Sequence, residues 1–481
     1  MSVALSMGEQ VRVRFVTEHD QYRVTDAPFV LPQKLGRKGL SEVINHLLEP
    51  SPEHAVPFDF SINGQLLRTQ LKTFLVASRV NLEEVVSIEY MPALSLSDES
   101  KTADAPAWVG SLSVLLDQGQ HQQKKKQASA EVVSIIAGCY DGTCTSTTHS
   151  AGGSLSAMSA ATPCHADPVR AVKTWQSGGR SFLATASKDM TLKCWSLAGG
   201  PSGEGQPQML ANLSGHFGSV ESVDFWGNNS LLLSGDWAGN ICGWGLAKIL
   251  QGGEGQEGGE AEAEDEEEGR QSSSRRKKTK TGRDSSAPAA KPELRPALTI
   301  RAHSQCVSSI CVGSSFSSSS SSSPFATIML SASWDHSIKT WDLNTQDCTA
   351  TLVSNKVVTS LSLSSSAASS GAVLTAHPDG KCRLWDLRSN TGGDCRVFSC
   401  GDAASASAGQ WVSQVAWHPS KSTVFASADY AGVVRLWDTR ASTPLGAVEA
   451  HDGKALCCAW AGEENLLSGG SDCKLVSTPL C

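Results

Sequence analysis

No apolar run in the 481 residues approaches the length needed to span a bilayer, and the opening MSVALSMGEQVRVRF has no apolar signal core. Both absences predict a soluble intracellular protein. Charge of one sign is also scarce. Forty Lys and Arg stand against 48 Asp and Glu, a net of -8, which argues against general nucleic-acid binding through the whole surface. Fifteen cysteines are present, yet no Cys-x-x-Cys occurs and the spacings form no zinc framework. Several, such as Cys194, Cys242, Cys382 and Cys458, sit in strand-like segments, the setting of reduced, buried thiols. Neither a phosphate-cradling Gly loop nor a unique nucleophile–base set appears, so no enzyme is expected, with no cofactor and no metal of its own.

What is present is a repeat. Trp-Asp pairs end SWDHSIKTWDL at Trp341, PDGKCRLWDLR at Trp385 and YAGVVRLWDTR at Trp437, and degenerate copies surround Trp195 and Trp244. Trp195 and Trp244 are 49 residues apart, Trp341 and Trp385 are 44 apart, and Trp385 and Trp437 are 52 apart. That period is the sequence form of a β-propeller blade. Seven units align on AGCYDGTC, TASKDMTL, SGDWAGNI, SASWDHSI, TAHPDGKC, SADYAGVV and SGGSDCKL. Five carry an aspartate at the tight turn (Asp141, Asp189, Asp335, Asp379 and Asp472), whereas units three and six carry Ala238 and Ala431. The chain stops soon after the third strand of the last unit, so a closing strand is expected from residues 90 to 104, paired with Cys473–Thr478.

Residues 11 to 92 read differently. VRVRFVT alternates, PFVLP follows a turn, and Leu40, Val43, Ile44, Leu47 and Leu48 form one apolar stripe at helical spacing. PFDFSING and VVSIEYMP supply two more strands. Strand, strand, helix, strand, strand is the order of a ubiquitin-like β-grasp. The fold class expected is therefore an all-β, seven-bladed WD-repeat propeller preceded by a small α+β ubiquitin-like domain. Its divisions are 9–93 for that domain, 94–107 for a linker and closing strand, and 108–481 for the propeller. Within the propeller, 252–296 reads as a disordered acidic-to-basic insertion, and Ser314–Pro324 as a polar low-complexity loop.

His, Asp, Ser or Thr, and Trp recur together, as in His165, Asp189, Thr185 and Trp195, or His303, Asp335, Ser331 and Trp341. A catalytic triad is one unique exposed constellation, whereas this set repeats blade after blade. It reads as a structural hydrogen-bond network that also involves Asp379, Trp385, Trp437, His451 and Asp472. Blades three and six, without the turn aspartate, are expected to be held more by packing. Arg275, Arg276, Lys277, Lys278 and Lys280 make a basic cluster suited to an import receptor, with direct RNA contact as the other reading. Glu83 and Glu84 lie in a loop before the last strand of the small domain. A carboxylate there is able to complete the octahedral shell of a Mg²⁺ held by another protein, although a solvated loop explains the residues equally well on composition.

RKGLSEVINHLL, VPFDFSINGQLLRTQL and SIEYMPA, followed by seven propeller units, resemble the WD-repeat ribosome-biogenesis subunits of the Pescadillo–Block of proliferation (PeBoW) complex. The resemblance covers essentially the whole chain and is strongest in residues 11 to 93, a Notchless-like N-terminal domain. It implies a non-catalytic scaffold of the nucleolus and nucleoplasm acting in maturation of pre-rRNA and the 60S subunit. The propeller would bind Block of proliferation protein, which binds Pescadillo. The ubiquitin-like domain would be gripped by the AAA+ ATPase Midasin through a Mg²⁺ in that ATPase's adhesion site, stripping the complex from the pre-60S particle. The family pattern puts the metal-contacting carboxylate at Glu83, with Glu84 as the alternative. Unit one departs from the family's Trp-Asp ending, which leaves its outer strand open. A Notchless-type protein has eight units rather than seven, and a ubiquitin-ligase or signalling adaptor would be expected to show an F-box or a diglycine end, which are absent here.

Overall fold

The computed structural model describes residues 10–48, 55–81, 83–97, 99–116, 133–149, 155–197, 207–227, 230–250, 292–313, 327–364, 371–388, 395–401 and 410–481. The N-terminal part forms β1 (Gln10–Val16), β2 (Phe29–Pro32), α1 (Arg37–Leu48), β3 (Phe58–Ile62), β4 (Gln65–Leu66), α2 (Leu71–Ala77) and β5 (Val86–Pro92). The sheet order is β2-β1-β5-β3-β4, with β1 and β5 parallel from Val13↔Val86 to Val16↔Glu89. This is the β-grasp arrangement. Alternation in β1 sends Val11, Val13 and Phe15 inward and Arg12 and Arg14 outward. The stripe on α1 meets them: Leu40 and Ile44 are fully buried, and each such side chain contributes about 1.5–3 kcal/mol by leaving water. Phe15, Phe58, Phe60 and Tyr90 pack edge-on and stacked in the same core, and the Tyr90 hydroxyl donates to Tyr22 O at 2.6 Å.

Seven sheets follow. Their innermost strands are Val109–Leu116, Val169–Ser177, Val220–Trp226, Val307–Val312, Ser360–Leu363, Val412–Trp417 and Ala455–Ala461. These strands contact one another in order, and the seventh meets the first, closing the ring. Six of the seven carry a bulge one or two residues from their start, as between Val109 and Ser111. A bulge bends a strand and raises its twist, as a radial array requires. Close approach between blades also fixes small residues. A Cβ on Gly235 would stand 2.5 Å from Val307 of the next blade, and one on Gly469 would stand 2.4 Å from Val109.

Blade seven takes its outer strand from the linker. β6 (Lys101–Asp104) pairs antiparallel with Lys474–Pro479, from Lys101↔Ser477 to Asp104↔Lys474. Farther up the linker, Ser95 N–H donates to Cys481 O, Cys481 N–H donates to Ser95 O, and Ser97 N–H donates to Pro479 O. Residues 90 to 92 belong instead to β5, because Tyr90, Met91 and Pro92 pair with β3. Blade one has an outer strand of only two residues, Thr162–Pro163, on Thr143–His149.

The insertion expected over 252–296 needs correcting at its end. Glu293–Leu294 forms a strand that pairs in parallel with Asn212–Leu213, adding a fifth member to blade two. Asn212 and Leu213 lie on that blade's edge, where unpaired backbone groups accept a further strand. Residues 252–291, the Ser-rich loop 314–324 and the Gln/Lys-rich stretch QGQHQQKKKQ (118–127) of unit one lie outside the described residues.

Candidate functional sites: a carboxylate loop and an aromatic propeller face

The loop after α2 is pinned through its main chain. Arg79 adopts a left-handed φ of 51°, the Asn81 side-chain oxygen accepts from Glu83 N–H at 3.1 Å, and the Arg12 guanidinium donates to Glu83 O at 2.7 Å. Both carboxylates, Glu83 and Glu84, are exposed and have no hydrogen-bond or ion-pair partner among the described residues. No three His, Cys, Asp or Glu side chains converge as a metal shell among those residues. A lone carboxylate of this kind offers a ligand atom to a cation that another molecule holds.

The opposite end of the small domain rests on blade six. Leu66 N–H donates to Arg440 O at 3.2 Å, and the Arg440 guanidinium reaches Met91 Sδ at 3.3 Å while pairing with Asp438 at 2.8 Å. Beside this seat, buried Asp59 pairs with Arg37 at 2.7 Å and Arg68 at 3.2 Å. The seat contacts one end of β5 and Glu83 precedes the other. A seven-residue strand spans roughly 20 Å, so the carboxylate loop stands about that far along β5 from the seat.

The predicted blade residues do not assemble alike in every blade. In blades two and four the full chain forms. His165 Nδ1–H donates to Asp189 at 2.8 Å, its Nε2 meets Thr185 Oγ1 at 2.8 Å, and Trp195 Nε1–H donates to the same hydroxyl at 3.1 Å. His303, Asp335, Ser331 and Trp341 repeat this at 3.0, 2.8 and 2.8 Å. Burial opposes ionisation of Asp335, but hydrogen bonds from Ser337 and Ser304 N–H and the His303 ring outweigh it and hold its pKa down at about 2. Blade seven keeps His451, Asp472 and Ser468, with Thr478 where the indole stands elsewhere.

Two expectations are overturned. Blade three is not held by packing in place of the network: His216 Nδ1–H donates to Asp236 at 3.1 Å, its Nε2 meets Ser234 at 2.6 Å, and Trp244 donates to Ser234 at 2.8 Å. Blade six is similar, with Asp429 paired to Arg435 and accepting from Ala431 and Val433 N–H, beside the Trp437–Ser427 bond of 2.9 Å. In both blades the aspartate has moved two residues back, from the turn to the last position of the second strand. Asp379, expected to join a histidine, pairs with Arg383 at 2.6 Å instead. His377 occupies that shifted position in blade five, between Thr375 Oγ1 and Val357 O at 2.8 Å each, and Trp385 donates to Thr375 at 2.8 Å. Asp141 of blade one only caps Thr143.

Sequence reasoning missed the face around the central channel. Trp237, Trp334, Trp411 and Tyr430 form a continuous aromatic arc with ring centroids 4.9, 6.4 and 5.7 Å apart. Lys454 lies over Tyr430 at 4.6 Å, and Arg170, paired with Glu221 at 2.7 Å, lies over Tyr140 at 5.3 Å. Trp237 is 49% exposed and Trp411 38%. The arc borders a channel of about 300 Å³. The signal for Tyr140, Trp237, Trp334 and Tyr430 was the aromatic residue before the turn position in YDG, WAG, WDH and YAG, whereas Trp411 stands just before the inner strand of blade six. The basic cluster Arg275–Lys280 lies outside the described residues.

Residues 11–75 match the NLE (NUC135) domain, and residues 158–196, 207–245, 294–342 and 404–438 match the WD domain, G-beta repeat. The chain is 31% identical to a ribosome biogenesis protein WDR12 homolog of Chlamydomonas reinhardtii, over 97% of each chain. The chain belongs to the WDR12/YTM1 family of ribosome biogenesis proteins. The rice WDR12 homolog is 30% identical over 97% of this chain and 96% of its own, and YTM1 of Meyerozyma guilliermondii is 28% identical over 98% and 96%. The unmatched blades one, five and seven each replace part of the His–Asp–hydroxyl–Trp chain, as matched blade six does with Arg435 in place of the histidine. The NLE match stops short of Glu83, so the WDR12/YTM1 likeness of that loop rests on the full-length relatives.

Proposed function

We propose that this chain is a non-catalytic scaffold of the PeBoW complex in 60S subunit biogenesis, working in the nucleolus and nucleoplasm. Its aromatic propeller face receives Block of proliferation protein, with Pescadillo held in the same assembly. Midasin grips the ubiquitin-like domain through Glu83 and pulls the complex from the pre-60S particle. The basic run Arg275, Arg276, Lys277, Lys278 and Lys280 serves nuclear import. The observation that carries this reading is the carboxylate loop: its backbone is fixed by Arg12 and Asn81, its carboxylates are exposed with no partner among the described residues, and it stands at the other end of β5 from the seat on blade six.

Hard cations take oxygen ligands, and Mg²⁺ tolerates little distortion of its shell. Glu83→Ala removes the ligand, and Glu83→Asp withdraws it by one methylene. Both are expected to abolish capture of the full chain by the Midasin adhesion domain in Mg²⁺, as EDTA does for the wild type, while leaving the protein on pre-60S particles. Wild-type capture that survives EDTA refutes the reading. A Glu83→Ala chain that binds normally moves the contact to Glu84.

A further inference from the structure

Two blades carry a cysteine pair where the others carry aliphatic and small side chains. In six blades, the residue just past the outer strand donates its N–H to a carbonyl at the turn before the third strand. These bonds run from Cys164 to Gly142 (3.0 Å), Ala302 to Gly239 (3.0 Å), Ser354 to His336 (2.7 Å), Cys400 to Gly380 (2.9 Å), Ala450 to Gly432 (3.0 Å) and Ala105 to Cys473 (2.8 Å). The side chain two positions beyond each acceptor completes a pair. The pairs are Ile241 with Ala302, Ile338 with Ser354, Val434 with Ala450, and Leu475 with Ala105. In blades one and five they are Cys144 with Cys164, and Cys382 with Cys400.

All four thiols are buried. The sulfurs of Cys382 and Cys400 are 3.9 Å apart, and Cys144 and Cys164 pack in one core cluster, with Cys144 opposite Thr162 in the strand register. The next blade presents a cation to each pair from the third residue of its third strand: Lys193 donates to Cys164 O at 2.5 Å, and Arg435 lies near Cys400. A hydrogen bond from Cys382 and the Arg435 charge together hold Cys400 below the usual thiol range against its burial, and Cys144 and Lys193 do the same for Cys164. A thiolate is the attacking species in thiol oxidation.

We propose that Cys144–Cys164 and Cys382–Cys400 are two oxidation sites, each closing to a disulfide with a hydroperoxide as the two-electron oxidant. The thiolate of Cys164 or Cys400 attacks the peroxide oxygen, the O–O bond breaks, and the departing alkoxide or hydroxide takes a proton. The resulting sulfenic acid is then attacked by the sulfur of Cys144 or Cys382, and hydroxide leaves with that thiol's proton as water. Two thiols and one hydroperoxide give one disulfide, one alcohol and one water; with hydrogen peroxide, the products are a disulfide and two waters. Each bond would tie the end of an outer strand to the strand it pairs with.

The test treats the reduced full chain with hydrogen peroxide, alkylates it in denaturant, and maps the peptides without reduction. Exposed Cys348 and Cys481 report that the oxidant acted. The expected result is two cross-linked peptides, Cys144–Cys164 and Cys382–Cys400, each two hydrogens lighter than its reduced halves and separated by dithiothreitol. Recovery of both pairs as alkylated thiols while Cys348 is oxidised overturns the proposal. So does a bond from Cys382 to any other cysteine. Cys400→Ala, which places at this position the residue that Ala302 and Ala450 supply in their blades, should leave Cys382 alkylatable and the Cys144–Cys164 bond intact. Oxidation of Cys382 in that variant removes the pairing.

Discussion

Asp236→Ala separates the observed network of blade three from the packing that its Ala238 turn implies. Asp236 is fully buried and accepts from His216 Nδ1–H at 3.1 Å, Asn240 N–H at 2.8 Å and Asn240 Nδ2 at 3.1 Å. Burial works against its ionisation, and the His216 and Asn240 bonds outweigh it, so its pKa is lowered. Removing the carboxylate leaves three donors without their acceptor, the buried His216 Nδ1–H and two part-buried ones of Asn240, at about 1–3 kcal/mol for each that stays dry. With the His216 donor fully buried and the Asn240 donors partly so, a fall of about 2–4 kcal/mol is expected. Asp141→Ala is the control: Asp141 is exposed and accepts only from Thr143. Urea unfolding of the full chain, followed by tryptophan fluorescence, should show a large drop in midpoint for Asp236→Ala and a small one for Asp141→Ala. A loss at Asp236 no greater than at Asp141 refutes the reasoning.

Burial, helped by the nearby Arg383, pushes the His377 pKa down to about 4 from 6.5. The unfolded chain therefore takes up the proton first; stability is full above pH 6.5 and falls by about 3 kcal/mol as the pH drops towards 4, a loss that His377→Gln should flatten in melting curves against pH. Deleting residues 90–104 should lower the propeller's melting temperature more than removing 1–85, as read by calorimetry, because only the first removes β6; an equal loss would show that closure does not rest on that strand. Trp334→Ala breaks the aromatic arc at its centre and is expected to weaken capture of Block of proliferation protein at least tenfold by surface plasmon resonance, since interface aromatics truncated to alanine lose 2 kcal/mol or more at hot spots. Unchanged affinity would place the partner on another face.

Periodicity carried most of the architecture. The Trp spacing gives the blades, and the stripe from Leu40 to Leu48 gives α1, because both reflect which side of a regular element meets the core. The short elements β4 and α2 were not legible: QLLRTQLKTFLVA is too short a window to separate helix from strand by period. The aspartates of blades three and six were missed for a geometric reason. A carboxylate at the end of the second strand reaches the same space as one at the turn, so aligning on the turn alone hides Asp236 and Asp429. The aromatic arc gathers residues from separate blades, and only closure of the ring brings Trp237, Trp334, Trp411 and Tyr430 together.

The closing strand also sets an order in time. Lys101–Asp104 leaves the ribosome about 370 residues before its partner Lys474–Ser477. At roughly 5–20 residues per second, that is a wait of about 20–75 s. During synthesis, the small domain can complete its own core, while blade after blade docks onto an open arc with a bare strand edge at each end. Such edges are templates for pairing with another chain. The propeller is therefore most exposed to misassembly while it is being made, and the contact that ends this exposure is the one of greatest sequence separation in the ring.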